Sequence, residues 1–435
     1  MLRIGLVIAL ALAIGCDPAA PGSAPTFAAA FDARIDNVIN GLRPALAIEG
    51  EAPVRWGIAE RMAFHKVPGL SLAIIDSGRI VFARGFGVKT AGGTDSVTTG
   101  TLFQAGSISK PTFALGVMRL VQDGRLDLDE DVNVKLSSWK VPGNRFTARE
   151  KVTLRRILSH NAGLTVHGFP GYEAGTPVPT VPQLLDGAKP ANTAAVRVDT
   201  FPGAISRYSG GGTTVAQLLI TDVTGQPFPD LMEQLVLGAA GMTHSTYQQP
   251  LPSDRAPTAA TGTYSDGRSV KGQFHTYPEM AAAGLWTTAS DLATLAIELQ
   301  QTWAGRSQRI VNKATLGQMF TVQKAPFGIG YAIDGKGPDL SFEHNGADEG
   351  FQALFIAFAE RGQGLVAMAN SDNGSSLMSE IVRGGRRVRL AEPSTDSDNS
   401  WFARADGMKV SFTPDANGKA TGITVAGQFR GTRVK

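Results

Sequence analysis

A serine and a lysine lie three residues apart in the stretch Gln104-Ala-Gly-Ser-Ile-Ser-Lys-Pro111, which stands where the pattern predicts a strand to end and a helix to begin. Because three residues are close to one helical turn, Ser107 and Lys110 share one face, with their side chains in reach of each other. A serine hydroxyl is a weak nucleophile until a neighbouring base takes its proton. A lysine can be that base when burial or nearby charge favours its neutral form. Taken alone the spacing is common, and a capping serine beside a surface lysine is the structural alternative.

Two further groups of residues accompany this pair. Arg207-Tyr-Ser-Gly210 follows in the middle of the chain, ahead of an apolar run with helical spacing. His344-Asn-Gly346 stands at the end of a late predicted strand, ahead of Ala347. Four shorter segments support them: Val67-Pro-Gly69, Gly124-Arg-Leu-Asp-Leu128, Leu158-Ser-His-Asn-Ala-Gly-Leu164 and Gly284-Leu-Trp-Thr-Thr-Ala-Ser-Asp291. Over residues 52–388 the chain resembles the serine β-lactamase and penicillin-recognising family, specifically its class C and esterase branch.

The resemblance implies a fold and a set of roles. The fold is of the α/β (α+β) class, an antiparallel sheet flanked by helices with a helical lobe beside it and the site between them. Ser107 is the acyl-accepting nucleophile, and Lys110 and Tyr208 share the general-base and acid work, with the order of proton transfer left open. The backbone N–H groups of Ser107 and Ala347 form the oxyanion hole.

The substrate-binding residues that the resemblance implies are Gly210, His344, Asn345 and Gly346, and two of these motifs depart from the family pattern. Gly210 stands where the family commonly has an asparagine that binds the substrate amide. His344-Asn345-Gly346 replaces the common Lys-Thr-Gly, so that a histidine only partly protonated at neutral pH takes the place of a fixed cation. Both changes weaken the hold on an acylamino, carboxylate-bearing β-lactam while leaving the acyl-transfer residues in place.

The sequence therefore predicts a serine hydrolase that acts on esters or on short peptides, D-amino-acid peptides among them. Two alternatives with the same chemistry are a class C-like β-lactamase and a D-alanyl-D-alanine carboxypeptidase. A third alternative is a non-catalytic scaffold that binds peptidoglycan, but such a protein has no need of Ser107, Lys110 and Tyr208 together.

Hydrophobic periodicity places predicted strands at both ends of this region, around a helical middle. A helix is predicted over Glu51–Ala63, a β-hairpin over residues 69–83 and a helix over Ser109–Gln122. A helix capped at Ser290 follows, then strands at Phe327–Ile333, Leu340–Glu343, Phe351–Phe358 and Gly364–Asn370, and a closing helix at Ser375–Arg383. Behind a polar linker at 391–400, the tail at 401–435 is predicted to be a small β-rich appendage with strands at Met408–Phe412 and Gly422–Val425.

The N-terminus has the pattern of an export signal. Residues 1–15 carry an uncharged, mostly apolar run that suits a signal peptide and is too short to span a membrane. Cys16, directly after Gly15, resembles the lipidated cysteine of bacterial lipoproteins, with an ordinary signal peptide as the alternative. Residues 16–26 then form a tether to a hydrolase domain at 27–390. We therefore expect an exported, periplasmic or otherwise extracytoplasmic protein, anchored to a membrane through a lipid on Cys16.

Composition limits the other possibilities. The 435 residues carry a formal net charge of +3, too small a surplus to indicate a nucleic-acid partner. The single cysteine excludes an intrachain disulfide framework and a thiolate zinc site, and the six histidines have no metal-binding spacing. We expect no metal and no cofactor, and a small-molecule or peptide substrate. The oligomeric state is open.

Overall fold

A computed structural model of the chain describes residues 35–36, 38–42 and 54–386, together with four strands between residues 400 and 432. For residues 383–386 and the four late strands the description covers the backbone alone. The predicted signal peptide, Cys16, the tether and nearly all of the linker at 391–400 lie outside the described residues.

A six-stranded antiparallel sheet forms the centre of the domain, in the order β2-β1-β8-β7-β6-β5. A two-stranded ladder of β3 and β4 lies apart from it. The strands are β1 Gly69–Asp76, β2 Arg79–Gly87, β3 Phe103–Gln104, β4 Trp286–Thr287, β5 Ala332–Asp334, β6 Ser341–Asp348, β7 Phe351–Phe358 and β8 Gly364–Ala369. The predicted union of early and late strands in one sheet is therefore confirmed.

Helices cover the sheet and build the lobe beside it. The helices are α1 Ile58–His65, α2 Ser109–Gln122, α3 Val132–Lys135, α4 Leu154–Leu158, α5 Val181–Asp186, α6 Gly210–Thr224, α7 Phe228–Met232, α8 Gly238–Ala240, α9 Met280–Ala283, α10 Ala289–Trp303, α11 Lys313–Met319 and α12 Gly374–Arg386. Most of the lobe lies between β3 and β4 in the sequence, as the helical middle predicts.

The side chains of β1 show how both faces of the sheet are covered. Leu70 and Leu72 lie in one apolar cluster with residues of α1 and α12, whereas Ala73 and Ile75 belong to the larger cluster that contains α2 and α10. Successive strand residues point to opposite faces, so a strand buried on both sides reads as a continuous apolar run. The sandwich of helix, sheet and helix follows from that pattern.

Several element boundaries differ from the prediction, four of them in ways that matter for the fold or the site. The first helix begins at Ile58 and not at Glu51. The predicted strand at 327–333 is reduced to Ala332–Asp334, because Gly330 has a φ of +83°, outside the extended range. The long helix α10 is capped by Thr288, whose Oγ accepts the N–H of Asp291 at 3.0 Å, and not by Ser290. Strand β6 continues to Asp348, so the motif His344-Asn-Gly346 lies within the sheet.

The described part of the C-terminal tail is a separate four-stranded antiparallel sheet in the order β12-β11-β10-β9. Its strands are β9 Ser400–Ala403, β10 Met408–Pro414, β11 Ala420–Val425 and β12 Phe429–Thr432. The two strands predicted for the tail lie within β10 and β11. Among the described residues, no helix combines the length and the apolar character needed to cross a membrane.

Candidate active site

Ser107 lies in a single turn of 3₁₀ helix, Gly106–Ile108, between β3 and α2. Gly106 has a φ of +52°, and a β-carbon built on it would lie 2.5 Å from the backbone nitrogen of Ala347. A glycine is needed there, because any side chain would push the turn away from β6. The two proposed oxyanion donors, the N–H groups of Ser107 and Ala347, consequently belong to neighbouring backbone segments.

Lys110 is buried and directed at the nucleophile. Its Nζ lies 3.0 Å from Ser107 Oγ and donates at 2.7 Å to the carbonyl oxygen of Ala282, which belongs to α9. Only 4% of the lysine is exposed, so it is not the surface lysine of the structural alternative. The helical spacing read from the sequence therefore produces a hydrogen-bonded Ser–Lys pair in the interior.

Tyr208 presents the face of its ring to this pair. Lys110 Nζ lies 4.9 Å from the ring centroid. The tyrosine hydroxyl is buried and has no hydrogen-bond partner among the described residues. A buried hydroxyl without a partner is costly and uncommon in native structures. The two residues meet, although without the direct hydrogen bond that shared proton transfer would use.

Histidine rings hold Tyr208 in place. His160 stacks on it with ring centroids 4.2 Å apart, and His167 lies 4.9 Å away at the exposed side. The carbonyl oxygen of His160 accepts the N–H of Arg207 at 2.7 Å, and its Nδ1 accepts that of Ser209 at 3.3 Å. Burial, followed by the positive charge of Lys110, lowers the pKa of His160 well below its usual value, so it packs as a neutral ring. His160 therefore stacks on the ring of Tyr208 and also binds the backbone N–H groups of the two residues beside it, Arg207 and Ser209.

Strand β6 places the late motif alternately inside and outside. His344 and Gly346 are buried, whereas Asn345 and Ala347 are exposed. A β-carbon on Gly346 would lie 1.9 Å from the carbonyl oxygen of Ala105, so the missing side chain lets β6 lie against the strand end that leads to the nucleophile. Its predicted role in substrate binding stays a prediction.

His344 is neutral in this site. Burial and the positive charge of Lys110 lower its pKa to about 4. Its Nδ1–H donates to the carbonyl oxygen of Asn345 at 2.6 Å, and Nε2 is buried with no partner among the described residues. The expectation of a partly protonated His344 at neutral pH is therefore wrong, because that expectation took no account of desolvation.

Two buried carboxyl groups were not recognised in the sequence. Asp348 is 7% exposed and Glu279 fully buried, and none of their carboxyl oxygens has a hydrogen-bond partner among the described residues. Burial raises the pKa of Asp348 well above its usual value, opposed by the charge of Lys110, and raises the pKa of Glu279 to about 8. The period-two alternation from His344 and Gly346 would have placed Asp348 on the buried face. No comparable signal marks Glu279, which immediately precedes α9.

The sequence matches the model of the family described as Beta-lactamase over residues 57–383. It is similar to the "Putative penicillin-binding protein PbpX" of Bacillus subtilis (strain 168), with 23% identity over 308 residues, 70% of this chain and 71% of that protein. It is also similar to a "Beta-lactamase" of Pseudomonas fluorescens, with 24% identity over 343 residues, 72% of this chain and 90% of that protein. The chain spans from 45% to 71% of the lengths of five of the curated relatives that it matches.

Among solved structures, "EstCE1, a hydrolase with promiscuous acyltransferase activity" superposes with a TM-score of 0.62 at 20% identity, covering 75% of this chain and 96% of the other. At this identity the likeness shows a shared fold. The fold expected from the sequence motifs is confirmed.

Proposed function

The chain belongs to the beta-lactamase family and is a serine hydrolase, and on that basis we propose that it forms an acyl-enzyme on Ser107 with carboxylic esters or short D-amino-acid peptides. The observation that carries this proposal is the buried contact of 3.0 Å between Lys110 Nζ and Ser107 Oγ. A hydrogen-bonded base is what a serine needs in order to attack a carbonyl carbon.

The proposed reaction uses Lys110 as the general base toward Ser107. The amine takes the proton of Ser107 as Oγ attacks the carbonyl carbon, and the N–H groups of Ser107 and Ala347 bind the oxyanion. The hydroxyl of Tyr208 protonates the leaving group and regains a proton from the Lys110 ammonium, a step that requires the two side chains to approach to hydrogen-bond distance when substrate is bound. Water then attacks the acyl carbon while Lys110 takes its proton. The bond between the acyl carbon and Ser107 Oγ breaks, the carboxylic acid leaves, and the proton returns to Oγ.

The charge of the site favours substrates without a carboxylate. A neutral His344 provides no cation where the family commonly has lysine, and Gly210 provides no amide. A substrate carboxylate brought to this strand would lose water without gaining a charge partner there. We therefore propose that a neutral ester is hydrolysed at least as well as a cephalosporin.

Two runner-up functions use the same residues. A β-lactamase activity is supported by the relative of that name, which matches over 90% of its length. A D-alanyl-D-alanine carboxypeptidase activity is supported by a relative named "Putative D-alanyl-D-alanine carboxypeptidase" in Escherichia coli O157:H7. A scaffold that only binds peptidoglycan is disfavoured, because such a protein has no use for a buried Ser–Lys pair.

A substrate panel tests the proposal. We would compare kcat/KM for p-nitrophenyl butyrate, a peptide ending in D-Ala-D-Ala, and a chromogenic cephalosporin. The Ser107→Ala variant should lose all turnover, while the control Ser376→Ala, an exposed serine on α12, should keep it. Strong selectivity for the cephalosporin would contradict the ester proposal, and turnover that persists in Ser107→Ala would contradict the nucleophile.

We further propose that the protein is exported and lipidated on Cys16. The support is the sequence pattern of residues 1–16. In a bacterial host grown with an alkyne analogue of palmitate, the native protein should become labelled and fractionate with membranes, whereas Cys16→Ser should do neither. Processing without any lipid label would leave an ordinary signal peptide as the correct interpretation.

A further inference from the structure

The first turn of α6, two residues after Tyr208, is built from three consecutive glycines, Gly210 to Gly212. A β-carbon on Gly210 would lie 2.9 Å from Cε2 of Phe169 and 3.1 Å from the carbonyl oxygen of His167. A β-carbon on Gly211 would lie 2.7 Å from the carbonyl oxygen of Thr165. The segment 165–169 therefore lies directly on this turn, in the volume that side chains would otherwise fill.

Backbone hydrogen bonds fix that segment to the turn. The N–H of Gly210 donates to His167 O and the N–H of Gly211 to Val166 O, both at 3.0 Å. Val166 has a φ of +63°, which a β-branched residue rarely adopts, so the surrounding contacts impose this course on the chain. Phe169 is half-buried and packs against the main apolar core. Its ring consequently has a defined position beside Gly210.

An aromatic ring at this point places an apolar group beside position 210, two residues after Tyr208. An amide side chain at position 210 could pair with the N–H and C=O of an acylamino group, whereas Phe169 offers only apolar contact. A substrate amide placed against the ring would leave its polar atoms unpaired, and such mismatches discriminate strongly between substrates. An alkyl or arylalkyl chain would pack there without that loss.

We propose that Phe169 is a specificity-determining residue, which selects substrates whose acyl group is apolar next to the scissile carbonyl and disfavours acylamino groups. This inference rests on the proposed acyl transfer at Ser107 and narrows its substrates to carboxylic esters with an apolar acyl group, in preference to peptides, whose acyl residue carries an acylamino group. The ring of Phe169 occupies the space that an asparagine side chain at position 210 would need, so the same ring excludes the amide and supplies the apolar contact.

A length-matched pair of p-nitrophenyl esters tests it, one with a 4-phenylbutanoyl and one with an N-benzoylglycyl acyl group. The native protein should prefer the first. Phe169→Ala should lower the ratio of the two kcat/KM values at least tenfold, which is the lower end of what one lost apolar contact does in a pocket. Phe169→Gln, which keeps the size and adds an amide, should lower it as well. The double variant Gly210→Asn/Phe169→Ala should gain activity on the N-benzoylglycyl ester.

Phe146→Ala is the matched control, because Phe146 is also half-buried and packs on Phe201, with ring centroids 5.0 Å apart. That variant should leave the ratio unchanged. Labelling with a fluorophosphonate separates the two proposals. If Ser107 is labelled and the ratio in Phe169→Ala and Phe169→Gln equals that of the control, the role of Phe169 is refuted and acyl transfer stands. If the native protein takes no label, both proposals fail together.

Discussion

Replacing Glu279 with glutamine removes a fully buried carboxyl group from the residue that precedes α9, the helix whose Ala282 carbonyl oxygen holds Lys110. Burial raises the pKa of this carboxyl from 4.5 to about 8. Between these values the folded protein binds a proton that the unfolded chain has released, so the free energy of unfolding falls as the pH rises. From pH 5 to pH 8 this linkage amounts to about 3 kcal/mol.

The assay is equilibrium denaturation by urea at pH 5, 6, 7 and 8 for the native protein and Glu279→Gln. The stability of the variant relative to the native protein should rise by about 3 kcal/mol over this range, because glutamine has no proton to lose. The contribution of His344 is common to both proteins and cancels in the difference, whereas the expected rise includes the coupling to Asp348, whose pKa the charge of Glu279 raises. The exposed Glu360 supplies the control, and Glu360→Gln should follow the native protein at every pH. A constant difference between native protein and Glu279→Gln would refute the buried, protonated carboxyl.

Three further predictions concern other parts of the domain. Tyr208→Phe should lower kcat/KM about 10²–10⁴-fold as a general acid is lost. Tyr331→Phe, which removes another buried hydroxyl that has no partner in the part of the chain that the structure describes, should keep ester turnover. Gly346→Ala should slow fluorophosphonate labelling at least tenfold and lower the free energy of unfolding in urea by about 1–3 kcal/mol. The reason is that the added β-carbon would lie 1.9 Å from the carbonyl oxygen of Ala105. A native labelling rate would contradict this prediction. Arg61→Leu should lower the free energy of unfolding by about 3 kcal/mol, because it leaves the buried Glu380 without its guanidinium partner. In the native protein that guanidinium donates to Glu380 through two contacts of 2.8 Å. The double variant Arg61→Leu/Glu380→Leu should recover most of the loss.

Local spacing made part of this site predictable. One helical turn separates Ser107 from Lys110, and the structure joins them in a hydrogen bond. The strands β1, β7 and β8 of the central sheet were equally readable, because their apolar runs are short and bounded by turns. The exact agreement of α2 with the predicted Ser109–Gln122 has the same origin.

Features that depend on tertiary contact were not predictable. The failed strand at 327–333 has a β-leaning composition, but a β-carbon on Gly330 would lie 2.7 Å from that of Ala114, and this close packing replaces the extended chain. The neutral state of His344 follows from burial, which no local pattern reports. Phe169 is far from Gly210 in sequence, so only the fold reveals that it fills the space beside that residue.

Intact-mass spectrometry of the protein with a fluorophosphonate tests most directly whether Ser107 is the acyl-accepting nucleophile. We expect one adduct per chain, mapped to Ser107 by peptide sequencing and absent in Ser107→Ala. An unlabelled native protein, or an adduct that persists in Ser107→Ala, would contradict this role of Ser107.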